Sequence, residues 1–213
     1  MKKNSSLFKP AALGIPLAIF LIMISWKMVW RGADAPPQSS LPVFGKIPEF
    51  SFTDQNNKTL NRKDLQGKVW VADFIFTHCA GVCPLMSGKM QKVQAAVLEN
   101  PDIRLVSFSV DHDRDNPEVL NVYSKRFKAD PAKWFFLTGN KEEIYKLSQQ
   151  HFHLGVQAVS PEEQQPAGQS VQHSSKFVLV DRAGQIRGYY NGEEMIGVNK
   201  LIEDAKTLTK EGK

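Results

Sequence analysis

The pattern of apolar and polar positions separates the first thirty residues from the rest of the chain. Residues 11–29, "AALGIPLAIFLIMISWKMV", are apolar apart from Lys27. A helix of that length spans roughly 28 Å, the thickness of a bilayer core. Three lysines precede this run, which favours a cytoplasmic N-terminus. The pattern therefore predicts a cytoplasmic tail over residues 1–10 and a single transmembrane helix over residues 11–30.

A cleaved signal peptide is the alternative interpretation of the same segment. The sequence "GADA" (32–35) resembles a cleavage site, but Pro36 would follow the cut and the apolar run is long for a signal peptide. No cysteine lies near the run, so lipoprotein processing is excluded. Both interpretations place the rest of the chain on the outer, periplasmic side of the cytoplasmic (inner) membrane, where disulfides persist. Residues 31–47, rich in proline and serine, are predicted to form a tether.

Beyond the tether, short apolar runs alternate with amphipathic stretches. The nearly continuous apolar runs 68–76 and 103–110 predict strands buried on both faces. Pro84 suits the first turn of a helix that residues 85–100 continue, with apolar positions at helical spacing. The other predicted elements are a helix over 115–127 with Asn116 as its cap, a strand over 134–139, a helix over 140–151, an irregular insertion over 154–172, a hairpin over 176–192 and a closing helix over 193–208.

This order of elements predicts an α/β domain over residues 48–213. A crossover unit joined to a β-hairpin gives a mixed sheet with helices on both of its faces. Residues 1–35 carry five basic residues and one acidic residue, and the rest of the chain carries 22 and 21. The high pI is therefore mainly a property of the anchor and does not indicate nucleic-acid binding.

The chain contains two cysteines, Cys79 and Cys83, in the sequence "THCAGVCP" between a predicted strand and a predicted helix. Open α/β sheets usually place their functional sites at such strand ends. The spacing allows a disulfide, a redox pair or two thiolate ligands for one ion. The helix N-terminus is expected to lower the thiol pKa and so favour thiolate.

Two sulfurs rarely make a complete protein metal site, so a histidine is the natural third ligand. His78 is adjacent to a cysteine and is expected to point elsewhere, in a supporting role. His112, His151 and His153 fit surface or capping roles. His173 precedes a predicted strand, after an insertion that could fold over the cysteines, and is the remaining candidate ligand. The methionines outside the anchor fit core packing.

Three blocks of the sequence resemble the Sco/SenC family, which handles copper in cytochrome c oxidase assembly. They are "FIFTHCAGVCPLM", "SVDHDRDNPEVLNVYSKRF" and "QHSSKFVLVDRAGQIRGYY", in the family's order, within a similarity that covers about Pro48 to Leu208. The resemblance implies a thioredoxin-like fold with an N-terminal membrane anchor. It also implies one copper ion, Cu(I) or Cu(II), bound by Cys79, Cys83 and His173.

The resemblance is incomplete beside the implied histidine ligand. The family often has aspartate immediately before it, whereas this chain has Gln172, and a changed neighbour can alter metal affinity. Asp111 matches the second block and is expected to support the site from outside the ligand set. His78 and Gln172 are the other candidates for such a supporting role.

The implied function is a membrane-anchored copper chaperone that delivers copper to the CuA site of cytochrome c oxidase subunit II. Other copper chaperones or thiol-disulfide reductases would be further partners. The alternative is a thiol-disulfide reductase that keeps the CuA cysteines reduced, although the usual redox motif is C-x-x-C. A peroxidase gives no role to three convergent ligands, and a structural zinc site lacks an evident fourth ligand.

Overall fold

The structure, a computed structural model, describes residues 41–155, 157–158, 171–172 and 174–211. Its strands are β1 (Gly45–Lys46), β2 (Ser51–Asp54), β3 (Thr59–Asn61), β4 (Val69–Ile75), β5 (Ile103–Ser109), β6 (Trp134–Thr138), β7 (Gln157–Ala158), β8 (Val171–Gln172), β9 (Lys176–Val180) and β10 (Gln185–Asn191). Its α-helices are α1 (Val82–Ala96), α2 (Pro117–Arg126), α3 (Lys141–Lys146) and α4 (Met195–Lys210). A 3-10 helix spans Arg62–Leu65, and a π-helix over Leu147–His151 continues α3.

Eight of these strands form one mixed sheet, in the order β1-β10-β9-β4-β5-β6-β2-β3. The pairs β4–β5 and β5–β6 are parallel, and β9 runs antiparallel to β4. Every residue of β4 is buried, because this strand lies in the middle of the sheet with both faces covered. The predicted mixed α/β sheet is therefore confirmed.

Successive side chains of β4 point to opposite faces of the sheet, and their contacts show that both faces are covered. Phe74 packs against Phe108 and Phe152, with ring centroids 5.2 and 5.3 Å away. Asp73 points to the opposite face, towards Cys83 of α1 and Tyr123 of α2. Burial is the main reason why the pKa values of these two groups are raised, and the Asp73 carboxyl adds a smaller contribution. The helices α1 and α2 therefore cover one face, and the segment after the π-helix covers the other.

Two predicted helices differ from the observed ones in a way that affects the site. The helix predicted from Pro84 begins earlier, at Val82, and ends at Ala96 instead of residue 100. Proline is tolerated there because the amides of the first helical turn have no partner within the helix. Cys83 is consequently a helical residue. The helix predicted over 140–151 changes to π-helical geometry after Lys146, and the amide of Phe152 donates to the Leu147 carbonyl.

The N-terminal part of the domain was not predicted from the sequence. The strands β1, β2 and β3 lie at the two edges of the sheet, and Ile47 is fully buried. The predicted boundary between residues 47 and 48 is therefore wrong, because β1 already pairs with β10. These strands have only two to four residues, too few to show a periodic pattern.

The predicted hairpin is confirmed, and the described residues of the predicted insertion include two short strands. Gly184 adopts the positive φ of 78° that the turn between β9 and β10 requires. In the insertion, β7 and β8 pair with each other in antiparallel fashion. Within the described part of the chain, no helix is long and apolar enough to cross a bilayer. The helix predicted over residues 11–30 lies outside the described residues.

Candidate metal and redox site

The two cysteines lie where β4 ends and α1 begins. Cys79 is in the connecting loop and Cys83 is the second residue of the helix. Both are buried, with 5% and 1% of their surface exposed, and no disulfide joins these two described residues. The backbone amide of Cys83 donates to Cys79 Sγ across 3.5 Å. The sulfur therefore caps the helix, since Gly81 at the N-cap has no side chain to do so.

The environment of Cys83 differs from the sequence-based expectation. Burial raises the pKa of the Cys83 thiol well above its usual range, and a hydrogen bond with the backbone of Phe76 offsets only part of this effect. The helix N-terminus was expected to lower the thiol pKa, and for Cys83 that prediction is wrong. Desolvation outweighs the helix terminus because the side chain is almost completely removed from water. Burial therefore favours the protonated thiol of Cys83 over its thiolate.

A buried carboxyl group lies under the cysteine-bearing helix. Asp73 is fully buried, and neither of its carboxylate oxygens has a hydrogen-bond partner among the described residues. Burial raises the pKa of Asp73 to about 7. The Ser107 hydroxyl, at the paired position of β5, is near enough to lower this pKa in part but does not meet hydrogen-bond geometry. Asp73 was not predicted from the sequence as a residue of the site. The signal was a single charged position inside an otherwise apolar strand.

A second buried carboxyl group holds the cysteine loop in place. Asp115 lies just before α2 and has no exposed surface. It accepts hydrogen bonds from the Thr77 amide at 3.0 Å, the Thr77 hydroxyl at 2.5 Å and the Ser109 hydroxyl at 2.5 Å. Asp115 lies in the second family block, but the supporting role predicted from the sequence was that of Asp111.

The other predicted site residues have different surroundings. Asp111 is buried and forms an ion pair with Arg114 at 2.7 Å. Its backbone amide donates to the Ser109 hydroxyl, which connects it to Asp115. His78 is half exposed, and its Nδ1 lies 3.1 Å from the Thr77 hydroxyl. The structure therefore brings Asp111 and His78 into one hydrogen-bonded chain with Asp115.

The predicted third ligand, His173, lies outside the described residues, as does the side chain of Gln172. Among the residues that are described, no three histidine, cysteine, aspartate or glutamate side chains form a group able to hold a metal ion. The donor chemistry of the two cysteines nevertheless suits a soft ion such as Cu(I), because thiolates are its preferred ligands. The chain directly after His173 is described and reaches the same end of the sheet as the cysteines.

The pairing of β9 with β4 shows which end of the sheet this is. Val180 pairs with Trp70 and Val178 pairs with Ala72, so β9 runs antiparallel to β4. The start of β9 therefore lies beside the end of β4, from which the cysteine loop leaves. Residues 174 and 175 lead into β9 at that end.

Comparison with known proteins identifies the family. The SCO1/SenC family model matches residues 42–210, most of the chain. The chain belongs to the SCO1/SenC family. The SCO1 protein homolog of Bacillus subtilis is 34% identical over 170 residues, which cover 79% of this chain and 85% of that protein.

Solved Sco structures share the fold. BsSco, a member of the Sco family of cytochrome c oxidase assembly proteins in which a disulfide switch has been identified, is 34% identical. Its structure superimposes with a TM-score of 0.70 over 81% of this chain and 99% of that one. Bradyrhizobium japonicum ScoI, solved with copper bound, is 26% identical, with a TM-score of 0.63 over 78% of this chain and 99% of that one. The thioredoxin-like α/β fold implied by the resemblance is therefore confirmed.

Proposed function

We propose that this chain binds one copper ion through Cys79, Cys83 and His173 and delivers it to the CuA site of cytochrome c oxidase subunit II. Family membership supports a role in cytochrome c oxidase assembly, and copper is bound in the related ScoI structure. Copper is cargo in this proposal. The observation that carries the proposal is the pairing of β9 with β4, at the end where the cysteine loop begins.

Chain connectivity supports His173 as the third ligand. Consecutive Cα atoms are about 3.8 Å apart, so residue 173 is one step from a described segment beside the cysteine loop. An imidazole ligand suits copper in either oxidation state, and two thiolates favour Cu(I). Loading requires that both thiols lose their protons, which burial opposes at Cys83. Copper binding should therefore release protons and weaken as the pH falls.

Replacing His173 with alanine tests the ligand set directly. The full-length protein, reduced and loaded with Cu(I), is expected to retain about one copper ion per chain through gel filtration. His173→Ala should lose most of this copper, because two sulfurs alone bind it weakly. His151→Ala is the matched control, since His151 lies at the end of the π-helix and is only partly exposed. Full copper retention by His173→Ala would exclude the three-ligand site.

A thiol-disulfide reductase acting on the CuA cysteines is the second candidate. The contact between the Cys83 amide and Cys79 Sγ favours it, because it shows how closely the cysteine loop approaches the helix that carries the second thiol. A disulfide switch also occurs in the related BsSco. The same His173→Ala variant separates the candidates, since a reductase would keep its rate of disulfide exchange without this imidazole.

The proposal includes a membrane anchor over residues 11–30, with the folded domain on the outer side of the inner membrane. Its support is the apolar run that follows three lysines. Full-length protein is expected in the membrane fraction after a high-pH carbonate wash. A variant that lacks residues 1–35 should appear in the supernatant with its folded domain intact. Release of the full-length, uncleaved protein by the same wash would contradict the anchor.

A further inference from the structure

Asp115 connects the cysteine loop to the rest of the fold across a long stretch of sequence. It is separated from Thr77 by 38 residues, yet it bonds both the backbone amide and the hydroxyl of that residue. Hydrogen bonds to a carboxylate are about twice as strong as those between neutral groups. Thr77 is two residues before Cys79, so these hydrogen bonds act directly on the loop that positions the first sulfur.

The hydrogen bonds around Thr77 have a fixed direction. A carboxylate has no proton to donate, so the Thr77 hydroxyl uses its single proton in the bond to Asp115. The Thr77 oxygen is then an acceptor for the ring of His78, whose Nδ1 lies 3.1 Å away. In the neutral ring the proton is therefore on Nδ1, which leaves the lone pair of Nε2 unprotonated.

We propose that Asp115 is the positioning residue of the dithiol site. Through the two bonds to Thr77 it holds the cysteine loop in the conformation that covers both thiols. Through the Thr77 hydroxyl it also orients the imidazole of His78, with Nε2 available as an acceptor. The inference rests on the proposed function only in taking the two cysteines as the reactive groups, and it does not depend on copper.

Because both thiols are buried, the effect of Asp115 on the cysteine loop can be measured as a rate of thiol alkylation. Cys79 and Cys83 are almost inaccessible, so a thiol reagent reaches them only when the loop opens. Opening moves Thr77 and breaks its bonds to Asp115. Weaker hydrogen bonds between Thr77 and Asp115 should therefore increase the fraction of protein with an open loop and the rate of alkylation, without an equal increase in global unfolding.

The first experiment measures the rate of alkylation by iodoacetamide in the reduced, copper-free, full-length protein. In Asp115→Asn the charge-assisted bonds become neutral, and the rate is expected to rise about tenfold. Asp113→Asn is the matched control, because Asp113 is 72% exposed in the same segment and should leave the rate unchanged. If Asp115→Asn does not fold, Thr77→Val replaces it, with Thr77→Ser expected to restore the slow rate.

The second experiment reads the tautomer of His78 by 15N NMR. The wild-type ring should carry its proton on Nδ1. In Asp115→Asn the amide oxygen must face the Thr77 N–H, so the amide NH₂ donates to the Thr77 hydroxyl. That hydroxyl then donates to His78 and moves the ring proton to Nε2. A merely structural role for Asp115 would not predict this reversal.

Two results would overturn the proposal. One is a wild-type His78 whose proton is on Nε2. The other is an alkylation rate that stays within about twofold of wild type in Asp115→Asn, or that rises only as much as global unfolding rises. Both readouts use copper-free protein, so they can succeed or fail independently of the His173→Ala copper measurement.

Discussion

Replacing Asp73 with asparagine should raise the free energy of unfolding at pH 8 by roughly 2–4 kcal/mol. Burial raises the pKa of Asp73 to about 7, from a reference value of 3.8 that applies to the unfolded chain. As the pH rises from about 4 to 7, the unfolded chain has lost this proton while the folded protein retains it. The contribution of Asp73 to the free energy of unfolding is therefore most favourable at low pH and is lost as the pH rises from about 4 to 7. Asparagine mimics the protonated form and removes the cost.

Urea unfolding between pH 4 and pH 8 measures this effect. The difference in unfolding free energy between Asp73→Asn and the wild type should be small at pH 4, should grow up to pH 7 and should level off above it. Asp113→Asn makes the same chemical change at an exposed position and is expected to show no such trend. A constant difference between Asp73→Asn and wild type at every pH would show that Asp73 does not titrate in this window.

Replacing Cys79 or Cys83 with serine should lower copper affinity more than a hundredfold. Structural zinc sites with four ligands gain about 10–16 kcal/mol, or roughly 3 kcal/mol per ligand, and tenfold in affinity corresponds to about 1.4 kcal/mol. A hydroxyl is a poor ligand for Cu(I), so the lost thiolate is not replaced. Both variants are expected to have this effect, because the proposed site needs two sulfurs.

Competition with a chelator of known Cu(I) affinity provides the measurement, in reduced, full-length protein. Met86→Leu is the matched control, because Met86 is a buried sulfur-containing residue one turn from Cys83 in the same helix. It should leave the affinity unchanged if the methionines only pack in the core. Retention of wild-type affinity by either cysteine variant would exclude the dithiol site for copper.

The sequence was sufficient to predict the elements whose pattern is local. The apolar runs that became β4 and β5 and the cap of α2 at Asn116 were found within about a residue of their observed ends. The dithiol pair was equally visible, because two cysteines four apart before a proline form a local motif. The family blocks extended this to a fold class, which the comparison with Sco structures confirmed.

Other features needed the folded chain. Edge strands such as β1 are too short to show a pattern, and the pairing of β1 with β10 joins segments about 140 residues apart in the chain. The π-helix after Lys146 leads into Phe152, which packs against Phe74 from a distant strand, and no local propensity encodes that contact.

The sequence by itself determined which groups we propose for the chemistry: two thiols at the start of a helix, with an imidazole before a later strand. The tertiary structure decided their environment. It buried Cys83 enough to raise its thiol pKa, left Asp73 without a hydrogen-bond partner under the helix, and brought Asp115 to the cysteine loop. The physical reason is that desolvation and buried hydrogen bonds depend on groups from distant parts of the chain, and local periodicity carries no information about them.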